Sequence, residues 1–175
     1  MRKVFRSATT VVLAAVLVAG LCAAAPAQSM MDKVMGLIGT GGTAEAADFE
    51  LPAVDGTRVR LSDYLGKKPV LLYFWAIWCP ACRSVKPEVA RLRREIADDR
   101  LEILAINVGS GESFTKVKRY QKAHPMPFKV LYDGNSTVTQ AYRVQGIPLF
   151  VIVDKEGKVV YRDHQLPGDM DRYVN

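Results

Sequence analysis

Cys79 and Cys82 stand in the run Trp78-Cys79-Pro80-Ala81-Cys82, directly behind the strand-type residues Val70 to Trp75. Two thiols three residues apart can close a disulfide, open it onto another protein's disulfide and close it again. A free thiol, with a pKa of about 8.5, is a weak nucleophile at neutral pH. The change from strand to helix at Cys79 makes it the helix N-cap or the first helical residue. Unpaired N–H groups and the helix dipole stabilise a thiolate there. Cys82 lies one turn further in, within reach of Cys79 and less exposed. Cys79 is therefore expected to attack a partner disulfide and Cys82 to resolve the mixed disulfide. Pro80 suits the first helical turn, where its missing N–H would have had no partner.

Other uses of the pair fit less well. Haem attachment needs His directly after the second Cys, and Arg83 is there. Zinc needs four ligands, but there is no second CxxC, and His124 and His164 lie at unrelated places near element ends. A purely structural disulfide over so short a loop removes little unfolded-state entropy. No metal and no cofactor is expected.

The elements that must position the pair follow from pattern. Val70 to Trp75 is a continuous apolar run, expected as a central strand buried on both faces. From Pro80 to about Ala97 the chain reads as a helix, with Val85, Val89, Leu92 and Ile96 as one buried stripe and Pro87 inside it, where a kink is expected. Before these, Phe49 to Leu51 and Thr57 to Leu61 flank Asp55-Gly56, a hairpin signal, and residues 62–66 make one helical turn ending at Gly66. After them, Leu101 to Val108 is a second buried strand and Ser113 to Ala123 a helix with Phe114, Val117 and Tyr120 on one face. Its Lys116, Lys118, Arg119 and Lys122 read as a solvated side. Phe128 to Tyr132 is a third strand and Ser136 to Tyr142 a short helix. Leu149 to Val153 and Val159 to His164 form a closing hairpin, with at most a short helix over residues 169–174. This order predicts an α/β fold, a mixed central sheet with helices on both faces. The sequence physics around Gly146-Ile147-Pro148 favours a trans proline at a strand start.

Composition bounds where the pair works. The 175 residues suggest one domain plus targeting sequence. Residues 1–27 read as an export signal: Arg2, Lys3 and Arg6, then an apolar run from Val11 to Ala25, then Ala25-Pro26-Ala27 as a cleavage site. Three outcomes stand open: cleavage after Ala27, retention as an N-terminal membrane anchor, or lipidation of Cys22. The last is opposed by Leu21, where a small residue is needed. Each places the domain on the oxidising side of a membrane, periplasmic or otherwise extracytoplasmic. Residues 28–47 read as a linker, because the stretch from Gly39 to Thr43 cannot offset its ordering entropy. The formal charge of +6 includes three cations of the leader, so the domain is too mildly basic to argue for nucleic acid.

The residues from Phe74 to Cys82, the helix proline Pro87 and Gly146-Ile147-Pro148 before a strand together resemble the thioredoxin superfamily. Phe49-Glu50-Leu51-Pro52 with Asp55-Gly56, and the strand–helix insertion between Leu101 and Pro125, resemble its exported TlpA/ResA-type branch, of the redoxin (AhpC/TSA-like) kind. The likeness covers residues 48–167 of a domain taken as 48–175. It implies a cis Ile147-Pro148 bond packed against the CxxC. It also implies a substrate surface made by Trp78, Pro80, Ile147 and Pro148, with the backbone at Ile147 pairing with the bound chain. Two carboxylates common among relatives are missing: Val85 stands three residues after Cys82, and Tyr73 six residues before Cys79. Proton handling then falls to water or to a residue distant in sequence such as Glu50.

The expected function is an extracytoplasmic thiol–disulfide oxidoreductase reducing disulfides of exported proteins, apocytochrome c among the candidates. Its partners are client proteins held through mixed disulfides and, by resemblance, a membrane thiol relay as electron donor. The potential lies somewhere in the range of about −270 to −120 mV. A thiol peroxidase is one alternative, though Ala76 stands where a peroxide-binding Thr is needed. The other is a non-enzymatic redox-linked chaperone or adaptor, suggested by Met30 to Ile38 and the basic helix.

Overall fold

The computed structural model describes residues 44–174. The expected leader, most of the expected linker and Asn175 lie outside the described residues. Seven strands and four helices follow in order: β1 (Glu50–Pro52), β2 (Arg58–Arg60), a 3-10 turn (Leu61–Asp63), β3 (Val70–Trp75) and α1 (Pro80–Glu95). Then come β4 (Glu102–Asn107), α2 (Phe114–Ala123), β5 (Lys129–Tyr132), α3 (Thr137–Ala141), β6 (Leu149–Val153), β7 (Val159–Asp163) and α4 (Asp171–Val174).

Five strands form one mixed sheet in the order β5-β4-β3-β6-β7. β3 runs parallel to β4, and β4 to β5, each pair joined through a helix. β6 is antiparallel to both β3 and β7. The apolar run Val70 to Trp75 takes the centre because all six of its residues are buried, and a strand without a polar face needs cover on both sides. β6 is buried throughout, whereas β7 is half-buried and lies at the edge. Tyr73 of β3 stacks on Phe150 of β6 with ring centroids 5.1 Å apart.

β1 and β2 pair separately as a hairpin, Glu50 facing Arg60 and Pro52 facing Arg58. The hairpin leans on the β5 edge, where the Val54 N–H donates to the Val130 carbonyl at 2.9 Å and Ala53 bridges Leu131. At the opposite edge, residues 44–47, read from sequence as the end of a linker, run beside the β6–β7 turn. The Val159 N–H donates to the Ala44 carbonyl and the Ala46 N–H to the Gly157 carbonyl, both at 2.8 Å.

α1 passes through Pro87 without interruption and ends at Ile96. Its apolar stripe packs on the core: Val89 and Leu92 are buried, Val85 is half-buried, and Ile96 is buried as the C-cap. α2 is N-capped by the Ser113 hydroxyl, which accepts from the Lys116 N–H at 3.3 Å, and buries Val117. Its basic side is exposed.

Candidate active site

The site begins where β3 runs out of partners. Beyond Trp75 the chain turns through residues 76–79 and enters α1 with Cys79 as the N-cap, in extended conformation (φ −82°, ψ 109°). Pro80 is the first helical residue. Cys79 Sγ accepts from the Cys82 N–H at 3.1 Å, so one of the helix's unpaired amides points at the sulfur. The two cysteines form a disulfide with Cα atoms 5.3 Å apart. Cys79 is 3% exposed and Cys82 fully buried, which is the order expected of an attacking and a resolving thiol.

Gly146, Ile147 and Pro148 come to the same place from the start of β6. The Ile147–Pro148 bond is cis, as the resemblance implied and the local sequence did not. Cys79 Sγ lies 3.6 Å from the Ile147 carbonyl oxygen. Trp78 is 52% exposed, and among the described residues it is the one large apolar side chain so exposed. Trp78, Cys79, Ile147 and the buried Pro148 thus form one small surface beside the helix start.

Three segments hold this surface. Between β4 and α2, the Ser110 carbonyl accepts from Trp78 Nε1 at 2.9 Å. In the same loop, Glu112 Oε1 accepts from the Ile77 N–H at 2.9 Å and Oε2 from Asn107 Nδ2 at 2.6 Å. Glu112 is 8% exposed and Asn107 is fully buried. The loop itself is tight: Gly109 has φ +71°, and a Cβ there would sit 2.4 Å from the Asp133 carbonyl oxygen. From α1, Arg83 Nη1 donates to the Ile77 carbonyl at 3.1 Å. From the end of β7, His164 Nδ1 donates to the Pro148 carbonyl at 2.7 Å.

One expectation changes. Glu50, suggested as a proton handler for Cys82, is engaged elsewhere. It pairs with Arg58 and Arg60 across the exposed hairpin, and those guanidiniums lower its pKa to about 2. His164 is exposed just past the end of β7, as expected, and its ring also bonds the backbone behind the proline. Tyr73, in the place of a missing carboxylate, donates its hydroxyl to the Cys82 carbonyl at 2.8 Å. Burial holds its phenol far above the usual range, so it remains a donor. Glu112 was missed because it lies 35 residues from Ile77 in sequence. The available signal was an acidic residue just past the C-terminal end of a buried parallel strand, the sheet edge where sites gather.

A groove of about 960 Å³ lies between α2 and the start of β5, lined by Lys118, Lys122 and Phe128 among others, and it does not include the cysteines. Among the described residues no group of three or more His, Cys, Asp or Glu could hold a metal.

Several known proteins are similar to this chain in sequence or fold. "Thiol-disulfide oxidoreductase ResA" of Bacillus subtilis (strain 168) is 36% identical over 117 residues, 67% of this chain and 64% of its own. "Thioredoxin-like protein YneN" of the same organism is 35% identical over 116 residues, 66% of each. The chain thus spans just under two thirds of these relatives' length. Among solved structures, a "putative Thiol:disulfide interchange protein DsbE" from Chlorobium tepidum superposes with TM-score 0.65 at 27% identity, covering 74% of this chain and 89% of that one. The "exposed lipoprotein thioredoxin (Etrx1)" of Streptococcus pneumoniae gives 0.61 at 35% identity, over 71% and 93%. Residues 43–162 match the AhpC/TSA family, and with its thioredoxin-like sheet and its cysteine pair at a helix start the chain belongs to that family.

Proposed function

We propose that this protein is an extracytoplasmic thiol–disulfide oxidoreductase that reduces disulfides in exported proteins. The observation that carries the reading is the Cys79–Cys82 disulfide at the α1 N-terminus, 3.6 Å from the Ile147 carbonyl. In the reduced protein the Cys79 thiolate attacks one sulfur of a client disulfide. A Cys79–client bond forms and the other client sulfur leaves as a thiolate. Cys82, deprotonated, then attacks Cys79 Sγ, closes the Cys79–Cys82 bond and releases the second client thiol. Two electrons pass to the client, whose two thiolates are then protonated.

The surface matches this use. Trp78 and Pro80 on one side and Ile147 and Pro148 on the other would grip a client chain next to its cysteine. Ile147 presents backbone to it. The cysteines lie just beneath the exposed Trp78 surface and outside the large groove, which suits a protein substrate. The leader at residues 1–27 and the absence of a third cysteine beyond it favour an exported, oxidising setting. Relatives named as thiol–disulfide oxidoreductases support the chemistry. Apocytochrome c is one candidate client, and a membrane thiol relay is the electron source such a reductant needs.

The test is insulin reduction with dithiothreitol as electron source. Wild type is expected to accelerate precipitation of the insulin B chain, and Cys79→Ser to fall to background. Equal rates sink the reading. Produced in cells and acid-quenched without added dithiothreitol, Cys82→Ser should accumulate mixed disulfides on Cys79, and their masses name the clients. Adducts confined to cytoplasmic proteins would overturn the extracytoplasmic assignment.

A further inference from the structure

The peptide of Ile77 is held from both ends. Its N–H donates to the buried carboxylate of Glu112, and its carbonyl accepts from Arg83. Two residues further on is the sulfur that the chemistry uses. Chain geometry places that sulfur within about 15 Å of the carboxylate whatever shape the turn takes. Glu112 is itself fixed by Asn107 Nδ2 and, through its carbonyl, by the Tyr132 hydroxyl at 2.7 Å. So much support for one acidic side chain is more than loop closure needs. Its two N–H partners are uncharged, so they satisfy its oxygens without neutralising its charge.

We propose that Glu112 is a positioning residue of the thiol pair: it fixes the turn that carries Cys79 and sets a negative charge within about 15 Å of it, which disfavours the Cys79 thiolate and makes the pair a stronger reductant. The proposal rests on the thiol-exchange reading above and gives that reading its direction. A CxxC pair becomes an oxidant when its reduced, thiolate form is stabilised. A neighbouring carboxylate acts against this. The carboxylates absent at Tyr73 and Val85 are thus replaced by one that reaches the loop from beyond β4. Other groups bear on Cys79 from each neighbouring element. Arg83 and the half-buried Lys86 on α1 favour the thiolate, and so does the helix N-terminus. His164 reaches it only through the Pro148 backbone, Tyr73 through the Cys82 carbonyl, and the buried Asp133 through the Asn107 backbone.

The test compares reduced wild type and Glu112→Gln, which removes the charge and keeps the shape. The rate of Cys79 alkylation by iodoacetamide is followed against pH, and the glutathione exchange equilibrium is measured. At an effective dielectric of about 20–40 the lost charge changes the ionisation constant by about threefold or more. The alkylation midpoint is therefore expected about half a pH unit lower in Glu112→Gln. The exchange equilibrium should move by a similar factor toward reduced protein. Glu112→Asp, which keeps the charge, should remain near wild type. A merely structural role would lower thermal stability and leave the midpoint in place. An unchanged midpoint in folded Glu112→Gln, with wild type active on insulin, overturns this proposal and spares the functional one. An inactive wild type overturns the functional reading first. If Glu112→Gln fails to fold, the wild-type protein decides. The reduced protein's Ile77 amide must be protected from hydrogen exchange and its resonance must shift at the pH where Cys79 ionises. A rapidly exchanging or unresponsive Ile77 amide overturns the proposal.

Discussion

Tyr73 shows how much one hydroxyl can fix at this site. It is fully buried on the central strand, stacked on Phe150, and its oxygen reaches the Cys82 carbonyl at 2.8 Å. That carbonyl belongs to the first turn of α1, so the bond ties the helix start to the sheet. Tyr73→Phe leaves the ring and removes the donor, and the buried carbonyl loses that partner. Such a loss costs about 1–3 kcal/mol. Thermal denaturation of oxidised Tyr73→Phe should show a reduction of that size, with the insulin assay still positive. An unchanged melting temperature would mean that water replaces the hydroxyl. The two cysteines and their order of exposure were legible from the CxxC and the strand-to-helix switch, because both depend on neighbours within a few residues. Glu112 and His164 were not legible. Their contacts to Ile77 and Pro148 depend on how loops from β4 and β7 fold back, and no spacing in the chain encodes that.

At the scale of elements, the β1–β2 hairpin is where electrostatics is concentrated. Glu50 accepts from Arg58 and Arg60, and its folded pKa falls to about 2 from 4.5. A carboxylate with a depressed folded pKa stabilises the fold above its unfolded pKa, and that contribution is lost as pH falls toward the folded value. The hairpin's contribution should therefore be complete at neutral pH and fade between about pH 4.5 and pH 2. Urea midpoints of wild type and Glu50→Gln should differ at pH 7 and converge near pH 2. A difference that persists at pH 2 would mean that the substitution acts through packing. Because the pair is exposed, the difference should be small and should shrink in high salt. The hairpin's existence was readable from Asp55-Gly56. Its pairing of one acid with two arginines needs the register Glu50 opposite Arg60, which only the fold supplies. The stripe on α1 packs on the core throughout, with Val85 only half-buried at the helix's site end.

For the whole molecule, each edge of the sheet is partly covered. The hairpin covers β5, and residues 44–47 cover the turn and start of β7. An uncovered strand edge is a template for pairing with another chain. A protein beginning at Asp48 would lose the Ala44 carbonyl bonded to Val159, the Ala46 N–H bonded to Gly157 and the Ala47 carbonyl that accepts from Tyr142 at 2.8 Å. It should melt earlier than one beginning at residue 44, and sedimentation should show association that rises with concentration. A monomer of unchanged stability would show that this segment is dispensable. The order of strands and helices was readable throughout, since it follows from alternating apolar runs and helical stripes. The ordered start of the domain was not, because residues 44–47 are three alanines and one glutamate, with no strand or helix pattern, and are fixed by partners 95 or more residues away.

The exposure of Trp78 has an optical consequence. The chain has two tryptophans, and the other, Trp75, is fully buried. Trp78 is joined directly to Cys79, and a disulfide quenches a neighbouring excited indole. The protein therefore carries its own unlabelled reporter. Opening the Cys79–Cys82 bond brightens the emission, and a chain laid across Trp78 shields it from iodide while Trp75 glows on unchanged as an internal reference.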